Sequence, residues 1–156
     1  TNTLKLSGVR VGLIAIFMDI SKSFFPIFFS INIGYKGFEL VVISFAAITG
    51  SIFSPFLKFN GGKSLSVSCG IWMAISSGLI GPLICIIMAI SHLIQKTHFW
   101  TILSGWLGIL IWVIAFSFSF EYVIIFLINF ILVMYKHKNE FNEKIIFRNW
   151  ITVRKA

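Results

Sequence analysis

The chain has 156 residues, of which 58% are hydrophobic and only 12% carry a charge. Soluble domains average about 25% charged residues, so this composition excludes an ordinary soluble domain and favours a chain solvated by lipid. The formal net charge is +8, and six of the thirteen lysines and arginines lie in the last twenty-one residues. Because this basic tail, residues 136–156, follows an apolar stretch, it predicts contact with anionic lipid at a cytoplasmic membrane surface rather than nucleic-acid binding.

Six apolar segments predict an all-α fold, a polytopic transmembrane helix bundle that forms a single integral-membrane domain over residues 1–156. Continuous apolar runs favour helices over a barrel, whose strands would alternate apolar and polar residues. The stretch 64–93 is longer than the roughly 20 residues that one span needs, and Gly81-Pro82 divides it into two short helices. The other four segments cover residues 11–31, 38–57, 99–117 and 120–135.

Asp19 and Lys22 lie three residues apart within the first segment. A charge inside a membrane is costly and normally faces the bundle interior or a cavity. At this spacing the two side chains share a helix face and can form an ion pair. The pattern predicts either a structural intramembrane pair that locks helix packing or a direct contact with a substrate.

The junction between the second and third segments reads Asn60-Gly61-Gly62-Lys63-Ser64. Two glycines allow backbone N–H groups to approach a bound group closely, and the lysine adds a full positive charge. A helix that begins at Ser64 points its positive dipole end at the same place. The junction therefore predicts a binding site for an anion such as a phosphate. The alternative is that Lys63 only extends toward the lipid headgroups.

His137 follows the last segment, within Tyr135-Lys136-His137-Lys138-Asn139-Glu140. Two interpretations stay open: part of a solvated basic cap, or a side chain that forms a hydrogen bond with a polar substrate at the cytoplasmic interface. Cys69 and Cys85 form no metal-binding pattern with each other or with a histidine. The sequence therefore predicts no metal site and no cofactor.

The distribution of basic residues supports six spans, since cytoplasmic loops carry an excess of lysine and arginine. With an even number of spans both chain ends lie on one side, and that side then holds eleven of the thirteen basic residues. Lys36 falls on the opposite side, near Glu39 and Glu121. This layout predicts a multi-pass protein of the cytoplasmic membrane, with residues 136–156 as a basic cytoplasmic tail.

Groups of residues in chain order resemble the motifs of bacterial acyl-phosphate-dependent glycerol-3-phosphate acyltransferases of the PlsY type. Residues 1–5 resemble the end of the first motif, G-A-T-N-x-x-R, and Asp19-Ile20-Ser21-Lys22 with Gly12 and Pro26 resembles G…D-x-x-K-G…P. Residues 51–63 resemble G-H-x-x-P-v-F-x-x-F-x-G-G-K-G, the most specific part. Lys136-His137 resembles the start of the third motif, R-H-x-x-N.

The resemblance implies a seven-helix inner-membrane enzyme, of which this chain lacks the first helix, with its motifs on the cytoplasmic side. Such enzymes transfer a fatty acyl group from acyl phosphate to the 1-hydroxyl of sn-glycerol 3-phosphate, without a metal, and yield lysophosphatidic acid for phospholipid biosynthesis. The resemblance implies Lys63 and His137 as catalytic residues. The substrate or phosphate is expected to contact a further set: Asn2, Lys5, Gly61, Gly62, Ser64 and Asn139.

Some positions depart from the family pattern. A carboxylate at Glu140, which takes the place of the third-motif asparagine, is expected to repel a phosphate unless it points away or Asn139 replaces it. The other departures are Lys5 for arginine, Ser51 for histidine, Ser64 for glycine, Val67 for threonine, and Asn149 near the place of a later glutamate.

Three functions stay open from the sequence. The first is acyl transfer, with acyl phosphate, glycerol 3-phosphate and membrane lipids as partners and no nucleic acid. The second is a catalytically impaired relative that binds lipid or phosphate as a membrane scaffold, which the substituted motif positions favour. The third is a small transporter or channel, which the clustering of polar groups at one membrane face disfavours.

Overall fold

The computed structural model describes residues 2–55, 58–59, 61–116 and 119–148, and for residues 2–7 and 9 it describes the backbone alone. Within these ranges the chain folds into α-helices, which confirms the all-α class. The helices are α1 (Asn2–Ile33), α2 (Phe38–Ile52), α3 (Leu65–Ile75), α4 (Ile80–Ile94), α5 (His98–Phe116) and α6 (Phe120–Lys136), and a 3-10 helix, Lys138–Glu140, follows α6.

Two helical stretches are long and apolar enough to cross a membrane by length and composition. The first is Arg10–Ile33, which is the part of α1 beyond a kink at Gly8, and the second is His98–Phe116, which is α5. The shortest of the described α-helices, α3, has 11 residues. It is about 16 Å long, roughly half the thickness of the hydrocarbon core of a bilayer. Six separate spans therefore remain a prediction.

The helix break predicted at Gly81-Pro82 is wrong. α3 ends at Ile75 and α4 begins at Ile80, so this dipeptide lies in the first turn of α4. A proline costs little there, because the first N–H groups of a helix have no intrahelical acceptor. The chain turns instead at Ser77 and Gly78, whose φ angles are 53° and 90°.

The second helix is also shorter than predicted. α2 ends at Ile52 instead of residue 57, and Phe53 already leaves the helical region with φ −111° and ψ 44°. The sequence remains mostly apolar beyond Ile52 although the helix ends there, which is why the hydrophobic pattern overestimated the length of α2.

The interior is built from pairs of helices in close contact: α1 packs on α3, α4 on α5, and α2 on α6. Gly70 allows α1 and α3 to approach, since a Cβ there would lie 2.2 Å from Ser23 Oγ and 2.4 Å from the Ile20 carbonyl oxygen. Ser23 Oγ also donates a hydrogen bond across this contact to the Val67 carbonyl at 2.8 Å. Small residues and hydroxyl-to-backbone bonds of this kind hold helices together where water is absent.

Contacts between residues far apart in sequence show which helix ends lie together. Lys63, before α3, contacts Glu140, after α6, and Thr97, before α5, donates to the Lys144 carbonyl at 2.8 Å. The end of the bundle that carries Lys63, Thr97 and Glu140 is called the motif end. At the opposite end, a cavity of about 320 Å³ is lined by residues that include Lys36 and Glu121.

Candidate anion site

The glycine-rich junction begins with a close backbone contact at Gly61. The Gly61 N–H donates to the Ile52 carbonyl at 3.0 Å, and a Cβ on Gly61 would lie 2.1 Å from the Ser51 carbonyl oxygen. Only glycine fits against the end of α2 in this way. The same bond occupies the amide that was expected to face an anion, so Gly61 acts here by packing. Asn60, the first residue of the predicted junction, lies outside the described residues.

Ser64 connects the end of α2 to the start of α3, which begins at Leu65 and not at Ser64 itself. The Ser64 backbone is left-handed, with φ 57° and ψ 19°. That conformation costs an L-residue other than glycine roughly 1–2 kcal/mol. The Ser64 hydroxyl donates to the Ser51 hydroxyl at 2.9 Å, which offsets part of that cost. The glycine of the resembled motif would adopt this φ without strain.

Lys63 lies directly before this turn, and its side chain is 41% exposed. The first N–H groups of α3 point toward the N-terminus of that helix, where Lys63 lies, and they carry the positive end of the helix dipole. Among the described residues, the group that Lys63 Nζ contacts is the Glu140 carboxylate, through Oε1. The anion that Lys63 contacts in the structure therefore belongs to the chain itself, and the binding of a separate anion at this lysine stays a prediction.

Glu140 bridges two basic side chains. While Oε1 contacts Lys63, Oε2 accepts a hydrogen bond from His137 Nδ1 at 2.9 Å. Partial burial raises the pKa of the Glu140 carboxyl, but the hydrogen bonds and charges of Lys63 and His137 outweigh burial and hold its pKa below the ordinary value. The stability that these contacts add is present above the ordinary pKa and is lost as the pH falls through the lowered one.

His137 is fully buried, with 0% of its surface exposed, so its interpretation as part of a solvated cap is wrong. It ends α6, and its Nε2 has no hydrogen-bond partner among the described groups. The ring of His98 lies beside it, with the two ring centroids 6.5 Å apart. In this arrangement His137 holds the Glu140 carboxylate in place and does not face the solvent from which a polar substrate would come.

A segment after the 3-10 helix, residues 141–148, crosses the connection between α4 and α5 and is called the strap. Phe147 forms an isolated antiparallel bridge with Gln95. The Thr97 hydroxyl donates to the Lys144 carbonyl at 2.8 Å and accepts from the Ile146 N–H at 3.2 Å. These bonds anchor the strap between Lys144 and Phe147, and so they limit how far the nearby Glu140 can move from the motif end.

Of Asn2, Lys5 and Asn139, the structure describes the side chain of Asn139 alone. Asn139 is exposed on the 3-10 helix, and no described contact brings it to Lys63. The backbones of Asn2 and Lys5 belong to α1, but their side chains lie outside the described part, so their role stays a prediction.

Asp19 and Lys22 form an ion pair within α1, with 3.0 Å between Asp19 Oδ1 and Lys22 Nζ. The side chains are 48% and 67% exposed, respectively. Because both belong to one helix and remain largely exposed, the pair links α1 to no other helix among those described. Its predicted role in locking helix packing therefore finds no support in the described contacts.

The motif end is strongly basic around these residues. Exposed basic side chains flank the cluster, and such an excess of one charge raises the local concentration of anions. The exposed set within the described ranges comprises Arg10, Lys58, Lys96, Lys138 and Lys144. Within the same ranges there is no group of three or more His, Cys, Asp or Glu side chains that could hold a metal ion.

Comparisons with known proteins point to one family. A sequence model described as glycerol-3-phosphate acyltransferase matches residues 1–146. Glycerol-3-phosphate acyltransferase 1 of Thermotoga maritima is 30% identical over 90% of this chain and 76% of its own length. The glycerol-3-phosphate acyltransferase of Pelagibacter ubique is 29% identical over 88% of this chain and 70% of its own length, and that of Lawsonia intracellularis is 34% identical over 49% and 38%, respectively. No solved structure matches the chain.

Proposed function

This chain belongs to the glycerol-3-phosphate acyltransferase family, and on that basis we propose that it transfers a fatty acyl group from acyl phosphate to the 1-hydroxyl of sn-glycerol 3-phosphate. The product is lysophosphatidic acid, a precursor of phospholipids. The observation that carries this proposal is the position of Lys63, which lies just before the first turn of α3. Its side chain is partly exposed, and its ammonium group contacts a carboxylate. An acyl phosphate presents the same kind of anion.

In the proposed reaction the phosphate of the donor binds Lys63 Nζ, the Gly62 N–H and the first amides of α3. Preorganised donors of this kind each contribute on the order of 3 kcal/mol where charge develops in a transition state. The hydroxyl oxygen of glycerol 3-phosphate attacks the acyl carbonyl carbon, and the bond from that carbon to the phosphate oxygen breaks. The hydroxyl proton passes to the departing phosphate. An acyl phosphate is already activated, so no protein nucleophile is required.

We assign the binding of glycerol 3-phosphate to Asn2 and Lys5, which precede the kink of α1. Ser64 shapes the turn at the start of α3, and Asn139 is exposed on the 3-10 helix within reach of solvent. His137 acts through Glu140, because the imidazole is buried and bonded to that carboxylate. Its role is thus to position a charged group at the site.

We further propose that the motif end lies at the cytoplasmic surface of a bacterial inner membrane, with the helices as six spans. Two lines of support are the two helices of membrane-crossing length and the exposed basic side chains at the motif end. Anionic lipid at the cytoplasmic leaflet attracts such a surface. Both the donor and the product have an acyl chain that favours the bilayer.

One observation favours a second function, a membrane scaffold that binds lipid or phosphate without catalysis. Glu140 neutralises Lys63, and a carboxylate in that position competes with a substrate phosphate. The strained backbone of Ser64 also departs from the glycine of the resembled motif. These two positions therefore separate an enzyme from an impaired relative.

Acyl transfer by the full chain in proteoliposomes, from palmitoyl phosphate to radiolabelled glycerol 3-phosphate, tests the choice. We expect the wild-type protein to form labelled lysophosphatidic acid. We expect the double variant Ser64→Gly/Glu140→Asn to do so faster, by up to about tenfold, since it removes a competing charge and a strained turn. Product from the double variant alone would identify the wild-type protein as a scaffold. Product from neither would contradict the proposed activity.

A further inference from the structure

We propose that Glu140 is an internal ligand of the anion site, so that a substrate phosphate binds by exchange with this carboxylate. The inference rests on the proposed function, because it concerns the same lysine. The chain itself supplies an anion to Lys63, from a position 77 residues away in the sequence. The Glu140 carboxylate and a substrate phosphate therefore compete for Lys63.

The surroundings of Glu140 allow its carboxylate to alternate between two states, one bound to both Lys63 and His137 and one bound to His137 alone. Its side chain is 21% exposed, and Lys63 is 41% exposed, so a phosphate can approach the ammonium from solvent or from the lipid headgroups. His137 binds the other carboxylate oxygen at 2.9 Å and is fixed by burial at the end of α6. When Lys63 turns to a phosphate, the carboxylate therefore keeps one hydrogen-bond partner.

Simultaneous binding of both anions by Lys63 is disfavoured. An ammonium group has three donors, but a phosphate beside the carboxylate would place like charges within a few ångströms, where their repulsion is strong. Exchange avoids this repulsion. The strap holds the backbone after Glu140 through Thr97 and Lys144, so the carboxylate remains close enough to return to Lys63 when the phosphate leaves.

Exchange has a quantitative consequence. An internal competitor that must leave before any ligand binds lowers the affinity for every such ligand by one common factor, whatever the charge of the ligand. A carboxylate that stays and repels would weaken a dianion more than a monoanion. Phosphodiester headgroups surround the site in a membrane, and the phosphate of each carries one charge. Because the carboxylate lowers every affinity by the same factor, headgroups that bind weakly are excluded, while a substrate that binds tightly still occupies the site.

The test measures the binding of two amphiphiles to the full chain in maltoside detergent at pH 8 by calorimetry. Dodecyl phosphate is a monoester with a second pKa of about 6, so it is a dianion, and methyl dodecyl phosphate is the matched monoanionic diester. We expect Glu140→Gln to strengthen the binding of both by about the same factor, roughly tenfold, as expected for the loss of one charged hydrogen bond. We expect Glu143→Gln, the same chemical change on the strap, to alter neither affinity.

The outcomes separate this inference from the proposed function. A larger gain for the monoester than for the diester in Glu140→Gln would overturn exchange in favour of repulsion, and weaker binding of either ligand would show that Glu140 contacts the ligand. Unchanged binding in Glu140→Gln, with a native melting curve, would also overturn exchange. If Lys63→Met bound both amphiphiles as wild type does, the anion site itself would be refuted.

Discussion

Replacing Lys63 by alanine is expected to lower kcat/KM for palmitoyl phosphate by about a hundredfold to a thousandfold, the loss typical of removing one preorganised donor from a developing anion. The ammonium group of Lys63 is the charged donor directly before α3, and the side chain that carries it is partly exposed at the motif end. The change also leaves Glu140 with His137 as its remaining partner, so a carboxylate stays in the site without its counter-charge. The loss of the ammonium group and the uncompensated carboxylate both weaken the binding of a phosphate at this site. The measurement is acyl transfer to radiolabelled glycerol 3-phosphate in proteoliposomes.

Two controls isolate the role of the charge at this position. Lys63→Arg keeps the positive charge and is expected to retain more activity than the alanine variant. Lys58→Ala removes an exposed lysine from the same connection and is expected to leave the rate within about twofold, since surface charges contribute little. Equal rates for the wild-type protein and Lys63→Ala would remove this lysine from the mechanism.

Replacing Gly61 by alanine is expected to destabilise the protein by about 3 kcal/mol, at the upper end of the usual cost of overpacking. A Cβ at this position would lie 2.1 Å from the Ser51 carbonyl oxygen and 2.6 Å from that of Ile52. Both atoms belong to the backbone at the end of α2, so no side chain can rotate away. The loop must move, and with it Lys63. Thermal unfolding followed by circular dichroism measures the change.

The neighbouring glycine provides a matched control. A Cβ on Gly62 would have its nearest contact at 4.0 Å, the Ser64 nitrogen, so Gly62→Ala is expected to unfold within a few degrees of the wild-type protein. Acyl transfer should follow the same order, with a large loss for Gly61→Ala and a small one for Gly62→Ala. Comparable melting temperatures for the two variants would show that the close contact at Gly61 is not rigid.

The sequence predicted the all-α class and the approximate position of each helix, because lipid-facing helices must be apolar over most of their length. The last two segments, 99–117 and 120–135, agree closely with α5, His98–Phe116, and α6, Phe120–Lys136. It misplaced the break between α3 and α4. A proline signals that a helix cannot continue through it, but it is equally compatible with the first turn of a new helix.

The composition of the candidate site was harder to predict. Lys63 was found because its glycines and charge form a local pattern. Its partner Glu140 was expected only as a source of repulsion, since no local signal indicates a pairing across 77 residues. His98 had no visible partner in the sequence, yet its ring lies beside that of His137. The strap is irregular in sequence, and its bonds use mainly backbone atoms, which every residue has.

We propose that a phosphorylated fatty acid binds beside Lys63 from the cytoplasmic side. Site-directed labelling of Gly62→Cys tests it most directly, with Cys69 and Cys85 replaced by alanine, in inside-out and right-side-out membrane vesicles. We predict that a membrane-impermeant maleimide labels this cysteine only in inside-out vesicles, and that a non-transferable palmitoyl phosphonate blocks the labelling while palmitate does not. Labelling in right-side-out vesicles, or labelling that the phosphonate leaves unchanged, would contradict the claim.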